Sequence, residues 1–272
     1  MANLDGIQGI LFDLDGVFYV GDQVIDGSPE VIKYFQEKHF PCRYVTNTTT
    51  KSIDALHQKL QGLGLPIERH EIISAPYAAH LYLRQLQQPS CHLVLCEEVK
   101  QDFGEFSQTD TTPDAVVLGD IGRAWDYAML NRVFQMVMSG AKLIALHKGK
   151  FWQTSEGLQM DIGAFVAGLE YATGTEATII GKPSPAFFEL SVKALELPKT
   201  KVAMVGDDID SDVGGAQAVG LKGILVRTGK YRQEHVDSSP VHPDLTIDSV
   251  GPSCPVIFSS LTSQQTFAKP VC

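Results

Sequence analysis

Two aspartates one residue apart, Asp13 and Asp15, stand at the end of an apolar run in ILFDLDGVFY, residues 10–19. Carboxylates this close repel each other in a partly dry pocket unless a cation neutralises them or one keeps its proton. That pairing suits a hard metal ion and phosphoryl chemistry. On this stretch alone, an ordinary turn at Asp15-Gly16 explains the residues as well. Three further polar clusters follow apolar runs. They are Thr46-Asn47 in YVTNTTT, Lys182 in IIGKPSP, and Asp207, Asp208, Asp210 and Asp212 in MVGDDIDSDVGGA. Each has a plain explanation by itself. Thr46 suits a strand end, Asn47 a turn, Lys182 before Pro183 a solvated loop, and the acidic run a helix N-terminus. Four such clusters, each after an apolar strand, are better explained by one site.

The elements that must position these groups alternate. Short apolar runs predict strands over Gly9–Leu14, Cys42–Thr46, Ile72–Ser74, Ala177–Gly181, Lys201–Gly206 and Gly223–Arg227. Helical spacing appears between them, as in Ser52–Leu63 (Ile53, Leu56, Leu60, Leu63) and Pro185–Leu195. Repeated β-α units predict an α/β fold with a doubly wound parallel sheet covered on both faces. Ligands in such sheets sit beyond the carboxyl ends of the strands, where the four clusters fall.

The middle of the chain reads as a second α/β unit. His92–Leu95, Ala115–Leu118 and Leu143–Leu146 read as strands, and Ala128–Met138 and Gly163–Ala172 as helices. The expected division is a discontinuous core, residues 1–79 and 178–272, with an inserted domain over 80–177. The stretch Gly251–Cys272 has three prolines and Lys269 as its one charge, which predicts an irregular tail.

Composition narrows the function. The 272 residues are 44% hydrophobic and carry 22 Lys and Arg against 32 Asp and Glu, a net charge of −10. That balance, with no Lys/Arg-rich run, argues against nucleic acid as a partner. No apolar run approaches the roughly 20 residues of a membrane span. MANLDGIQG has neither a basic start nor an apolar stretch, so no secretory leader is expected. Cys42, Cys91, Cys96, Cys254 and Cys272 are odd in number and form no C-x-x-C pair. Reduced thiols in a cytoplasm fit that pattern better than a disulfide framework or a zinc site.

The ordered clusters resemble the haloacid dehalogenase superfamily of phosphohydrolases, over nearly the whole chain to about residue 250. The extra unit between the Thr46 and Lys182 clusters resembles the NagD-like class, whose Rossmannoid core carries a large C2-type cap. VTNTTTKS, LIALHKGKFW, GAFVAGLEYATG and GILVRTGKYR strengthen the likeness. The resemblance implies Asp13 as nucleophile forming an aspartyl-phosphate, and Asp15 as general acid and then base. It implies Mg²⁺ held by Asp13, the main-chain carbonyl of Asp15, and Asp207. Thr46 and the Asn47 amide would bind phosphoryl oxygens, and Lys182 would contact Asp13 and the phosphoryl group. Asp212 and Asp208 would orient Lys182 or metal-bound water. A hairpin flap in VFYVGDQVIDG, with Gly21-Asp22 at its tip, would fence the site.

The implied activity is hydrolysis of a small phosphorylated metabolite, pyrophosphate or a phospho-amine, with a homodimer through the cap. In the cap, Lys142, Lys148 and Lys150 read as an anion-contacting rim or a solvated loop. Trp152 reads as packing or a stacking surface, and His147 lacks a His or Cys partner at ligand spacing. A phosphotransferase or phosphomutase is the enzymatic alternative. A phosphoaspartate receiver is disfavoured because the candidate nucleophile lies on the first strand with an acid two residues on. A catalytically silent binding protein is disfavoured because Asp13, Asp15, Thr46, Lys182 and Asp207 are all present.

Overall fold

A computed structural model describes residues 4, 6–154 and 157–251, side chains excepted over 152–158. The Trp152 side chain and the tail over 252–272 therefore lie outside the described residues. The chain divides into two compact units. One comprises Met1–Thr46, His57–Ile73 and Phe188–Cys272, and the other Asn47–Leu56 and Ser74–Phe187.

The first unit is built on a six-stranded sheet. Its order is Leu245–Ile247, Lys222–Val226, Val202–Gly206, Gly9–Asp13, Cys42–Thr46 and Ile72–Ser74. Numbered along the chain, these six run 6-5-4-1-2-3, the doubly wound order. The order reverses between Gly9–Asp13 and Val202–Gly206, which pair in parallel with Phe12 against Val205. GILFD and VAMVG are buried along their whole length. Strands covered on both faces are continuous apolar runs rather than alternating ones. Phe12 centres an aromatic group, with Phe18, Phe35 and Tyr44 ring centroids at 5.3, 5.5 and 6.0 Å. Helix Ser28–Glu37 presses Val31, Ile32 and Phe35 into that core.

The second unit has a four-stranded sheet ordered Thr178–Ile179, Lys142–Ala145, Ala115–Leu118 and Cys91–Val94, all parallel. Helices Tyr127–Met138 and Gly163–Thr173 supply Val133, Val137, Val166 and Leu169 to its core. The Asp126 carboxylate caps the first of these helices, accepting from the Met129 amide at 2.7 Å.

One strand expectation needs correction, and two elements were not expected. The run Ala177–Gly181 yields only Thr178–Ile179, paired with Ile144 and Ala145 of the second sheet rather than with the core strands. Apolar residues alone do not say which sheet a two-residue edge strand joins. Leu245–Ile247, an edge strand of the first sheet, was not expected. Only Ile247 of its three residues is buried, so it lacks the apolar signature of a central strand. The antiparallel hairpin of Phe151–Thr154 and Gly157–Met160 was also not expected.

Candidate active site

Asp13 ends the first strand, level with Val45 of the neighbouring strand Cys42–Thr46. On the other side Phe12 pairs with Val205, so Asp207 follows the next strand just past the same edge. Asp13, Thr46 and Asp207 thus leave three adjacent strands at the topological switch point, and all three are buried. A wide helical turn over Ile209–Gly214 then brings Asp212 back toward them. Such π-type turns recur at functional sites. Carboxylate oxygens of Asp13, Asp207 and Asp212 lie within 4.8 Å of one another.

Three carboxylates packed this closely need a positive charge or a retained proton. Burial pushes the Asp207 carboxyl well above its ordinary range, and repulsion from Asp13 and Asp212 adds to it. Asp207 Oδ1 is buried with no hydrogen-bond partner among the described residues, while Oδ2 accepts from the Lys230 amide at 2.6 Å. A buried carboxylate with an orphaned oxygen, clustered with two further carboxylates, is the donor set a hard dication takes. The residues therefore fit a metal ion of that kind.

Close backbone approach builds the same pocket. Gly16 has φ +88°, and a Cβ there would overlap the Asp207 carboxylate. Gly229 approaches from the opposite loop, where a Cβ would overlap both Asp207 Oδ2 and Gly16 Cα. Thr228 Oγ1 donates to the Gly16 carbonyl at 2.5 Å, which ties the two loops together.

Asp208 and Asp212 brace the helical turn. Asp208 Oδ1 accepts from the Asp210 and Ser211 amides at 3.0 and 2.9 Å. Burial pushes its carboxyl up, but the Ser211 amide and the Lys230 charge outweigh burial and hold it below the ordinary range. Asp212 Oδ2 accepts from the Asp208 amide at 3.1 Å. Asp212 is thus both a brace of the turn and one of the three clustered carboxylates.

Asp15 differs from its neighbour in sequence. Its side chain is exposed while Asp13 is buried, so one residue of spacing separates a dry carboxylate from a solvated one. The flap forms as expected, Tyr19 pairing with Val24 and Val20 with Gln23. Lys59 steadies it, with Nζ 2.7 Å from the Gly21 carbonyl and 4.6 Å from the Tyr19 ring centre. Burial pushes the Tyr19 hydroxyl far up, with Asp15, Asp13 and Asp22 adding to the shift.

Asn47 and Lys182 belong to the second unit and are held to each other. Asn47 Oδ1 accepts from the Lys182 amide at 2.8 Å, and Asn47 Nδ2 donates to the Lys182 carbonyl at 2.8 Å. The Lys182–Pro183 peptide bond is cis, and Lys182 is buried. A buried ammonium is tolerated only where charged or polar groups receive it. In the same unit, His147 Nδ1 lies 3.7 Å from Asp161 Oδ2, both side chains being buried. Lys148 is engaged by Glu170 at 2.5 Å, which takes one lysine out of the expected basic rim.

Lys230, Gly229 and Thr228 had no role in the expectations drawn from sequence. The available signal was Arg-Thr-Gly-Lys, residues 227–230, directly after the apolar run Gly223–Val226, a fifth polar cluster at a strand end.

Comparison with known proteins agrees with this geometry. A haloacid dehalogenase-like hydrolase family profile matches residues 10–107, and a HAD-hydrolase-like profile matches residues 179–252. Haloacid dehalogenase-like hydrolase domain-containing protein 2 of Pongo abelii is 37% identical over 249 residues, 92% of this chain and 95% of that protein. Phospholysine phosphohistidine inorganic pyrophosphate phosphatase of Homo sapiens is 37% identical over 253 residues, 90% of each chain. Among solved structures, 4-nitrophenylphosphatase from Thermotoga maritima superposes with a TM-score of 0.85 at 26% identity, covering 91% of this chain and 96% of its own. NagD from E. coli K-12 shares the fold, with a TM-score of 0.82 at 23% identity over 90% and 98%. The chain belongs to the haloacid dehalogenase-like hydrolases and is an enzyme of that class.

Proposed function

We propose that this chain is a Mg²⁺-dependent phosphatase acting on a small phosphorylated metabolite, pyrophosphate or a phospho-amine. The observation that carries the reading is the buried trio Asp13, Asp207 and Asp212 at the switch point of a doubly wound sheet. The substrate class is supported by the names of the relatives, a phospholysine phosphohistidine inorganic pyrophosphate phosphatase and a 4-nitrophenylphosphatase.

Asp13, the main-chain carbonyl of Asp15 and Asp207 would hold the metal, with Asp212 beside them. When bound, Mg²⁺ neutralises charge on the transferring phosphoryl group and keeps the carboxylates ionised. Asp13 attacks phosphorus, the bond from phosphorus to the leaving oxygen or nitrogen breaks, and Asp15 gives that atom its proton. The product on the protein is an aspartyl-phosphate. Asp15, now ionised, takes a proton from water, whose oxygen attacks phosphorus, releases phosphate and restores Asp13. The exposure of Asp15 suits a group that exchanges protons with solvent, and the burial of Asp13 suits a nucleophile kept from water. Thr46, the Asn47 amide and Lys182 are the proposed phosphoryl contacts, and the Lys182 charge would offset the negative charge that accumulates there.

No helix among the described residues is long and apolar enough to cross a membrane. Thiols at Cys91 and Cys96 support a reducing, cytoplasmic setting. Exposed Tyr127, Tyr171, Phe151 and Met160 on the second unit support a homodimer through the cap, which light scattering would test.

The test of the activity is phosphate release from p-nitrophenyl phosphate and pyrophosphate, with Mg²⁺ and with chelator. Wild type should turn over only with metal, and Asp13→Asn should be inactive. Equal rates for wild type and Asp13→Asn across both substrates would refute the nucleophile.

A further inference from the structure

Lys230 brings a positive charge to the aspartate cluster from a loop with no part in the proposed chemistry. Its backbone is fixed by its own amide on Asp207 Oδ2 at 2.6 Å. It is fixed further by Gly229 packed against Asp207 and by Thr228 on the Gly16 carbonyl. Its charged end is placed differently. Nζ lies 3.9 Å from Asp208 Oδ2, and the side chain is 68% exposed. The main chain is therefore a fixture of the site, while the ammonium stands at its wet rim on a flexible stem. Besides the Lys230 amide, this loop thus offers the cluster a movable positive charge. A dication arriving at the trio meets a like charge at its rim, beside Asp208.

We propose that Lys230 is a resident counter-cation at the rim of the Asp13–Asp207–Asp212 cluster, beside Asp208, stabilising the metal-free protein and competing with the incoming metal ion. This rests on the reading of the trio as a Mg²⁺ site. It departs from the plain expectation for a lysine at a phosphatase site, which is help in binding. Removing the charge should tighten metal binding rather than weaken it. The effect should be roughly fivefold at low salt, the scale of one exposed charge acting on a dication through a water-like dielectric. It should shrink as added salt screens the rim.

The experiment is calorimetric titration of Mg²⁺ into the metal-free full chain, as wild type, Lys230→Met, Lys230→Gln and Lys230→Arg. Thermal unfolding is followed with and without saturating Mg²⁺. Both neutral variants should bind Mg²⁺ about fivefold tighter at low salt, with the gain fading at high salt, and Lys230→Arg should match wild type. The neutral variants should melt below wild type without metal, and the gap should close with it. If wild type binds Mg²⁺ and the neutral variants bind no tighter, the counter-cation role is wrong and the metal site stands. If wild type takes up no Mg²⁺, the metal reading falls and this inference falls with it.

Discussion

Gly16→Ala tests whether the aspartate site depends on a backbone-to-carboxylate contact. Gly16 has φ +88°, a left-handed conformation that costs an L side chain about 1–2 kcal/mol. A Cβ there also overlaps the Asp207 carboxylate, whose Oδ2 is held by the Lys230 amide. The carboxylate must give up that hydrogen bond or the turn must move. A charged bond of this kind is worth about 1.5–3 kcal/mol. Together the two costs come to about 2.5–5 kcal/mol. Gly21→Ala is the internal control, because Gly21 has φ +61° with open space around its Cβ position. It should lose only the backbone share. Urea unfolding followed by circular dichroism gives the two losses, and calorimetry gives Mg²⁺ affinity for the same samples. Gly16→Ala should be the less stable by about 1.5–3 kcal/mol and should lose most of its Mg²⁺ binding. Equal losses, with Mg²⁺ affinity intact in Gly16→Ala, would refute the proposed dependence of the site on this contact.

Phe12→Ala should destabilise the first unit by about 3–5 kcal/mol, because the ring is fully buried against Phe18, Phe35 and Tyr44. An unfolding loss under about 1 kcal/mol would contradict that packing. Asn47→Ala removes both amide bonds to the Lys182 backbone, so kcat for p-nitrophenyl phosphate should fall about tenfold or more. An unchanged kcat would free Lys182 from any dependence on Asn47. Asp244 accepts from Lys222 Nζ, the Gly223 amide and Gln217 Nε2 at 2.7, 2.9 and 3.0 Å. Burial raises its carboxyl, but these donors outweigh burial and hold it below the ordinary range. Its stabilisation is therefore complete above its unfolded value, about pH 3.9, and is lost as pH falls through the lower folded value. Asp244→Asn should flatten the acid limb of stability in that window, and an identical limb in pH-dependent urea unfolding would count against it.

Most groups of the site were legible one at a time because they follow short, largely buried strands. GILFD, CRYVT and VAMVG announce Asp13, Thr46 and Asp207 by the same pattern. Their neighbourhood was legible only through the doubly wound order, which sets the first and fourth strands of the sheet side by side although they lie far apart in sequence. What stayed hidden depends on backbone detail that no residue pattern carries. Asp212 joins the trio because the turn over Ile209–Gly214 is wider than an α-helical one. Asn47 reaches Lys182 across 135 residues through its carboxamide, whereas sequence gave a role only to its main-chain amide. Lys230 meets Asp207 through its backbone N–H, a group every residue but proline has. Its loop can come that close because position 229 has no side chain. The apolar strands thus foretell which carboxylates gather, and the glycine-bearing loops between them decide how closely. Closeness is what fits an acidic sheet edge to a cation, so Gly16, Gly229 and the Lys230 amide shape that fit as much as the aspartates do.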